Sequence, residues 1–157
     1  MDTLNDIAEE VAACRGCPLH EALDPVPGKQ HVSVPGRGSA PAEVMIVGEA
    51  PGVIEADTGE EFVGWSGSIL DRLLDMCDLE RKSCFVTNMV KHRTPRNRKP
   101  KVSEARACAP FLDRQLALVR PRIIIAMGAV AAKFFDKSVK LRNDHGKARK
   151  IRRGEAE

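Results

Sequence analysis

The run Gly48-Glu49-Ala50-Pro51-Gly52 sets a carboxylate in a tight turn directly after a short apolar stretch. Glu55, Asp57-Thr58-Gly59 and Phe62-Val63-Gly64 follow it closely. Turn glycines let the backbone pass close to a ligand. A carboxylate in such a turn can position a water or stabilise a cation, and Phe62 can offer a ring face to a flat base. Asn88 closes a second apolar stretch, and its amide can both donate and accept. A plain Gly/Pro turn with solvated acids and a core Phe would carry the same local pattern, so the turn alone decides nothing.

Cys14 and Cys17 form a Cys-x-x-Cys pair, with Cys108 far downstream. By itself the pair is weak evidence for a metal. The first ten residues are acidic and polar and do not read as a signal peptide. No stretch approaches the roughly 20 apolar residues that a membrane span needs. A cytoplasmic setting is therefore expected, where the five cysteines serve as ligands or buried thiols rather than disulfides.

The formal charge of +3 hides an asymmetry. Residues 91–106 hold seven Lys/Arg against Glu104, and residues 137–153 hold eight against Asp144. Two basic clusters suit a polyanionic partner, although a solvated basic surface would look the same.

The elements that must position these residues follow from periodicity. Leu4, Ile7, Ala8 and Val11 recur at helical spacing, which predicts a helix from Asp2 to Cys14. Residues 24–41 contain four prolines and three glycines and read as an irregular connection. Glu43 to Gly48, Cys84 to Asn88 and Arg122 to Gly128 read as buried strands. Helices are expected after Gly67 with Ser66 or Ser68 as cap, from Glu104 to Val119 with Ser103 as N-cap, and from Ala129 to Phe135. Alternating strands and helices predict a parallel sheet in a three-layer α/β/α domain, with ligands bound at the carboxyl ends of the strands. The domain is expected over residues 1–146, with 147–157 a basic tail.

The run from Gly48 to Gly64, then Val86-Thr87-Asn88-Met89-Val90-Lys91, then Pro95-Arg96-Asn97-Arg98-Lys99-Pro100, resembles the family 4, iron–sulfur type uracil-DNA glycosylases. Those carry a Gly-Glu-(Gly/Ala)-Pro-Gly turn, a Phe-Val-Gly, a Thr-Asn-(Val/Met)-Val-Lys strand end and an Asn-Arg-x-Pro loop, in this order and spacing. The likeness runs from about Cys14 to Gly146 and takes in Gln115 and Gly128-Ala129-Val130-Ala131-Ala132. It implies hydrolytic release of uracil from single- or double-stranded DNA by a monomer. Gly48, Glu49, the Ala50 backbone and Glu55 fall where the family lines its pocket and holds water. Phe62 falls where uracil stacks, and Asn88 where the pyrimidine edge is read. It also implies a [4Fe–4S] cluster on Cys14, Cys17, His92 and Cys108, with His92 standing sixteen residues before Cys108 where a cysteine is usual. Imidazole can replace thiolate at such a cluster, and zinc suits the same four ligands. Cys77 and Cys84 match no ligand position.

The likeness stops before its last part. The family's later strand, which ends in His-Pro, has no counterpart, and no His-Pro dipeptide occurs in the chain. A last strand is expected to be missing, leaving an open sheet edge. His145 aligns with a turn that precedes that strand and is expected in an exposed loop. Ala56 and Glu60-Glu61 depart from the family's usual residues, and both glutamates are expected to face solvent. The alternatives are a truncated enzyme or a catalytically impaired DNA-binding homologue of phage or mobile-element origin. Two further readings are a relative that traps its product through His92 and a cluster protein for electron transfer.

Overall fold

A computed structural model describes residues 2–151. Among these residues ten α-helices and β-strands follow one another, with three short 3-10 turns between them. Helix α1 spans Leu4–Ala13, and strand β1 covers only Arg37–Gly38. Strand β2 is Val44–Gly48, followed by the short helix α2, Val53–Thr58, and by α3, Trp65–Asp75. Strand β3 is Phe85–Asn88, and α4 runs Val102–Val119. Strand β4 is Ile123–Ala126, α5 is Ala129–Phe135 and α6 is Leu141–Asp144.

The sheet order is β1-β3-β2-β4. Strands β3, β2 and β4 are parallel, and Gly48 lies in register with Asn88. The two residues read as site candidates therefore leave the sheet side by side at its carboxyl edge. Strand β1 pairs antiparallel with β3, so the sheet is mixed rather than wholly parallel. A two-residue strand inside a Pro/Gly-rich stretch carries no periodicity by which to read it.

Two apolar layers sandwich the sheet. Met45 and Val47 point to one side with Phe85, Leu112, Val119 and Ala131. Val44 and Ile46 point to the other with Val86, Leu70 and Leu74. This alternation is the period-2 pattern of a strand buried on both faces. Strand β4 forms an edge: Ile123 is 52% exposed and Ile125 37%. No helix among the described residues is long and apolar enough to cross a membrane.

Helix ends differ from expectation in instructive ways. Thr3 caps α1 through a reciprocal capping box with Asp6. Helix α3 has Gly64 as its N-cap, ahead of Ser66 and Ser68. Helix α4 has Lys101 as its N-cap, whose N–H donates to Glu104 at 2.7 Å, and Ser103 is not its cap. Arg114 on α4 holds Asp2 and Glu10, tying α1 down.

Candidate active site

Gly48 ends β2 where any side chain would collide. A Cβ there would lie 2.4 Å from Asn88 Oδ1 and 2.6 Å from Phe62 Cζ. The missing side chain lets a ring and an amide converge over one backbone position. Asn88 is 2% exposed, so its amide sits in a largely dry place. Gly48, Glu49, Ala50, Glu55, Phe62 and Asn88 all line one large open groove. The structure thus brings every pocket residue read from the sequence to one wall.

The two carboxylates of that set have different partners. Glu49 is half-buried and its Oε1 accepts the N–H of Val130 at 3.0 Å, at the start of α5. Glu55 is buried, and both its oxygens are engaged by backbone. Oε2 accepts from Gly52 at 3.1 Å, and Oε1 accepts from Val63 at 3.0 Å and Gly64 at 2.7 Å. Glu55 therefore joins the Gly52 turn to the Phe62-Val63-Gly64 turn.

Phe62 has φ +50, a left-handed conformation that costs free energy for a residue with a Cβ. Arg81 stabilises that turn. Its guanidinium donates to the Phe62 carbonyl at 2.9 Å, to the Glu61 carbonyl and to Asp71. The sequence reading missed Arg81, because a contact to main-chain oxygens nineteen residues away leaves no motif.

Beneath Asn88 lies a buried polar network that was also missed. Lys91 is 1% exposed and donates to Thr87 Oγ1 at 2.7 Å, Asn88 O at 2.8 Å and Gln115 Oε1 at 2.9 Å. Gln115 in turn donates to Pro35 O at 2.6 Å. Burial lowers the Lys91 ammonium to about 8, against the opposing fields of Cys108 and Glu61. Glu61 is 1% exposed rather than solvent-facing, and neither carboxylate oxygen has a hydrogen-bond partner. Its nearest cation is Arg37 Nε at 3.9 Å. Burial raises the Glu61 carboxyl above the usual range. Glu60 behaves as expected, half exposed and paired with Arg37 at 3.0 Å.

The four residues read as metal ligands come from separate segments. Cys17 and Cys108 are raised first by burial and then by the neighbouring thiols, Cys14 among them. These three sulfurs thus share one electrostatic neighbourhood. The Gly16 N–H donates to Cys14 Sγ at 3.4 Å, and the Lys91 backbone N–H bonds Cys108. His92 is buried, stacks on His31 with centroids 6.1 Å apart, and falls to about 4 through burial and the fields of His31, His20 and Arg15. Arg15 lies between Cys14 and Cys17 in the chain. All five cysteines are free; Cys77 is exposed and Cys84 buried. Among the described residues, no three His, Cys, Asp or Glu side chains stand close enough to hold a single metal ion.

His145 is exposed on the groove's rim. In the basic tail, Lys147 and Arg149 pair with Asp144, and Arg149 also with Asp136. Arg152 and Arg153 lie outside the described residues.

The model of the Uracil DNA glycosylase superfamily matches residues 35–155. The chain is 42% identical over 135 residues to the type-4 uracil-DNA glycosylase of Sulfurisphaera tokodaii, covering 85% of this chain and 58% of that protein. It is 40% identical over 151 residues to the type-4 enzyme of Saccharolobus solfataricus, covering 95% of this chain and 67% of the other. To that of Archaeoglobus fulgidus it is 40% identical over 134 residues, covering 85% and 64%. The chain therefore spans about three-fifths to two-thirds of the length of these relatives.

Proposed function

Because this chain belongs to the uracil DNA glycosylase superfamily, on its type-4 branch, we propose that its groove takes an extruded uracil nucleotide of DNA and hydrolyses the N-glycosidic bond. The observation that carries this reading is the convergence of Phe62 and Asn88 over the bare Cα of Gly48. A ring face and an in-plane amide at one spot are what recognition of a flipped base requires.

In this reading the uracil ring stacks on Phe62 and Asn88 bonds its edge. The bond from C1′ to N1 breaks, and uracil leaves with the electron pair as an anion. A water adds its oxygen to C1′ and releases a proton. Glu49, fixed on one oxygen by Val130 N–H, turns the other toward that water and the developing positive charge on the sugar. Glu55 has its lone pairs taken by three N–H groups, so its part is to hold the turn bearing Phe62. Preorganised dipoles in a dry site act in this way on charge that develops during the reaction.

Cys14, Cys17, His92 and Cys108 hold a [4Fe–4S] cluster in the same reading. N–H groups aimed at the sulfurs of Cys14 and Cys108, and the common field of the three thiols, support this ligand set. When bound, the cluster staples the N-terminal segment to residues 92 and 108. The basic residues 91–101 supply phosphate contacts, and the protein acts as a monomer in the cytoplasm.

A second reading is a DNA-binding homologue with weakened release, favoured by the groove's extension along the partly exposed β4. Incubation of anaerobically purified protein with a labelled uracil-containing single strand, then alkali and a denaturing gel, decides between them. Strand scission at uracil is expected, and N88A should lose it. Tight binding without scission selects the second reading.

A further inference from the structure

Trp65, the first residue of α3, is 83% exposed. It is the one tryptophan of the chain. Large aromatic side chains usually bury 150–250 Å², so this one leaves most of its apolar area in water.

Its place is fixed by the same parts that fix the pocket. Trp65 follows Phe62 by three residues, and the backbone between them is gripped by Glu55 at Val63 and Gly64. A Cβ on Gly67 would lie 1.7 Å from the Phe62 carbonyl oxygen, so the first turn of α3 rests directly on the Phe62 turn. Phe62 and Ser66 both line the groove. The Phe62 ring is therefore held at the groove wall, and the water-exposed ring of Trp65, which does not itself line the groove, is carried on the adjoining first turn of α3 next to Ser66. Residues with open rings beside a base-binding pocket act as stacking platforms for unpaired bases.

We propose that Trp65 stacks on a nucleobase next to the extruded nucleotide, and that it does so on single strands, where a neighbouring base is free to leave its own stack. The partner is thus unpaired DNA flanking the target, and Trp65 is a specificity residue for strandedness. This rests on the glycosylase reading for the location of the target nucleotide. A paired, stacked neighbour offers no ring face, so duplexes gain nothing from Trp65.

The 157-residue chain, which has no tyrosine, reports on Trp65 by its own emission. The probe is a uracil-free thymidine oligonucleotide, labelled for anisotropy, against the matching duplex. Wild-type emission should be quenched by the single strand, and W65A should bind that strand about tenfold more weakly, in line with about 1–3 kcal/mol per stacked base. W65F should restore most of the affinity, and duplex binding should be equal in all three proteins. On a uracil-containing single strand, W65A should raise KM and leave kcat unchanged. Single-strand binding with unchanged emission, or W65A binding as wild type does, overturns the proposal even where wild type releases uracil. Failure to bind single strands also overturns it, and the wild-type gel assay then tells separately whether the glycosylase reading stands.

Discussion

The ammonium of Lys91 donates to the backbone oxygen of Asn88 at 2.8 Å from a site only 1% exposed. The residue that faces the pocket is therefore braced from below by a buried cation, whose own backbone N–H bonds Cys108. Replacing Lys91 with Met keeps the volume and removes three donated bonds. Buried acceptors left unpaired cost about 1–3 kcal/mol. K91M should unfold at lower denaturant and release uracil more slowly, with its KM nearly unchanged. Denaturant curves and single-turnover kinetics check both.

Gly48→Ala tests the pocket at its tightest point. The new Cβ would meet Asn88 Oδ1 at 2.4 Å and the Phe62 ring at 2.6 Å. One of them must move, and a displacement of about 1 Å at a reacting site can cost about 10²-fold in rate. G48A should keep its circular dichroism spectrum and lose uracil release by about that factor.

Glu55 offers a test of positioning against chemistry. E55Q replaces one accepting oxygen with an NH2 group that opposes a backbone N–H. The turn bearing Phe62 should loosen, with about 1–3 kcal/mol less stability and slower base release. The pH profile of the residual activity should keep the wild-type shape, because a clamp does not exchange protons with the substrate. A profile that loses one limb would instead place Glu55 in the proton inventory.

Glu61 makes stability depend on pH with a sign opposite to an ordinary surface acid. Burial holds its folded carboxyl above the usual carboxylate range, against the lowering effect of the Glu61 and Gly36 N–H groups and of the facing cations Lys91 and Arg37. Its favourable protonation in the folded state is fully present below about 4.5 and is lost as pH rises through the raised folded value. E61Q, neutral at every pH, should match wild type in acid and melt about 3 °C higher at neutral pH. Thermal melts from pH 4 to pH 8 make the comparison.

Ligand substitution separates cluster from zinc. C108S should lose bound metal, whereas H92C, which restores a thiolate, should keep it. Iron and acid-labile sulfide in equal amounts in the wild type support the cluster; zinc without sulfide removes it.

Much of this site was legible because it is made of short runs. Gly48, Phe62 and Asn88 sit in local patterns whose spacing matches a known family, and the strands that carry them are unbroken apolar stretches. The rest was hidden for physical reasons. Arg81 acts on carbonyls, which every residue has, so nothing in the sequence marks its targets. Glu61 is adjacent to Glu60 and equally charged, yet a turn sends one inward and the other out. Strand β1 is too short for a period, and its pairing depends on Arg37 and Gly38 meeting Val86 and Phe85 from far along the chain. Lys101 rather than Ser103 caps α4 because Glu104 reaches back to the Lys101 N–H, a contact that outweighs the preference of Ser103.

Strand β4 lies at one margin of the sheet with Ile123 and Ile125 partly bare. Among the described residues, its outer peptide groups face no neighbouring strand. Unprotected margins of this kind recruit like margins from other molecules, which natural proteins usually discourage with charge or proline. Arg122 and Pro121 stand at the entry to β4, but its centre is Ile-Ile-Ile. At high concentration, association of this 157-residue chain should therefore run through this margin. Light scattering should rise with concentration, and Ile123→Lys should suppress it while leaving Gly48, Phe62 and Asn88 unaltered.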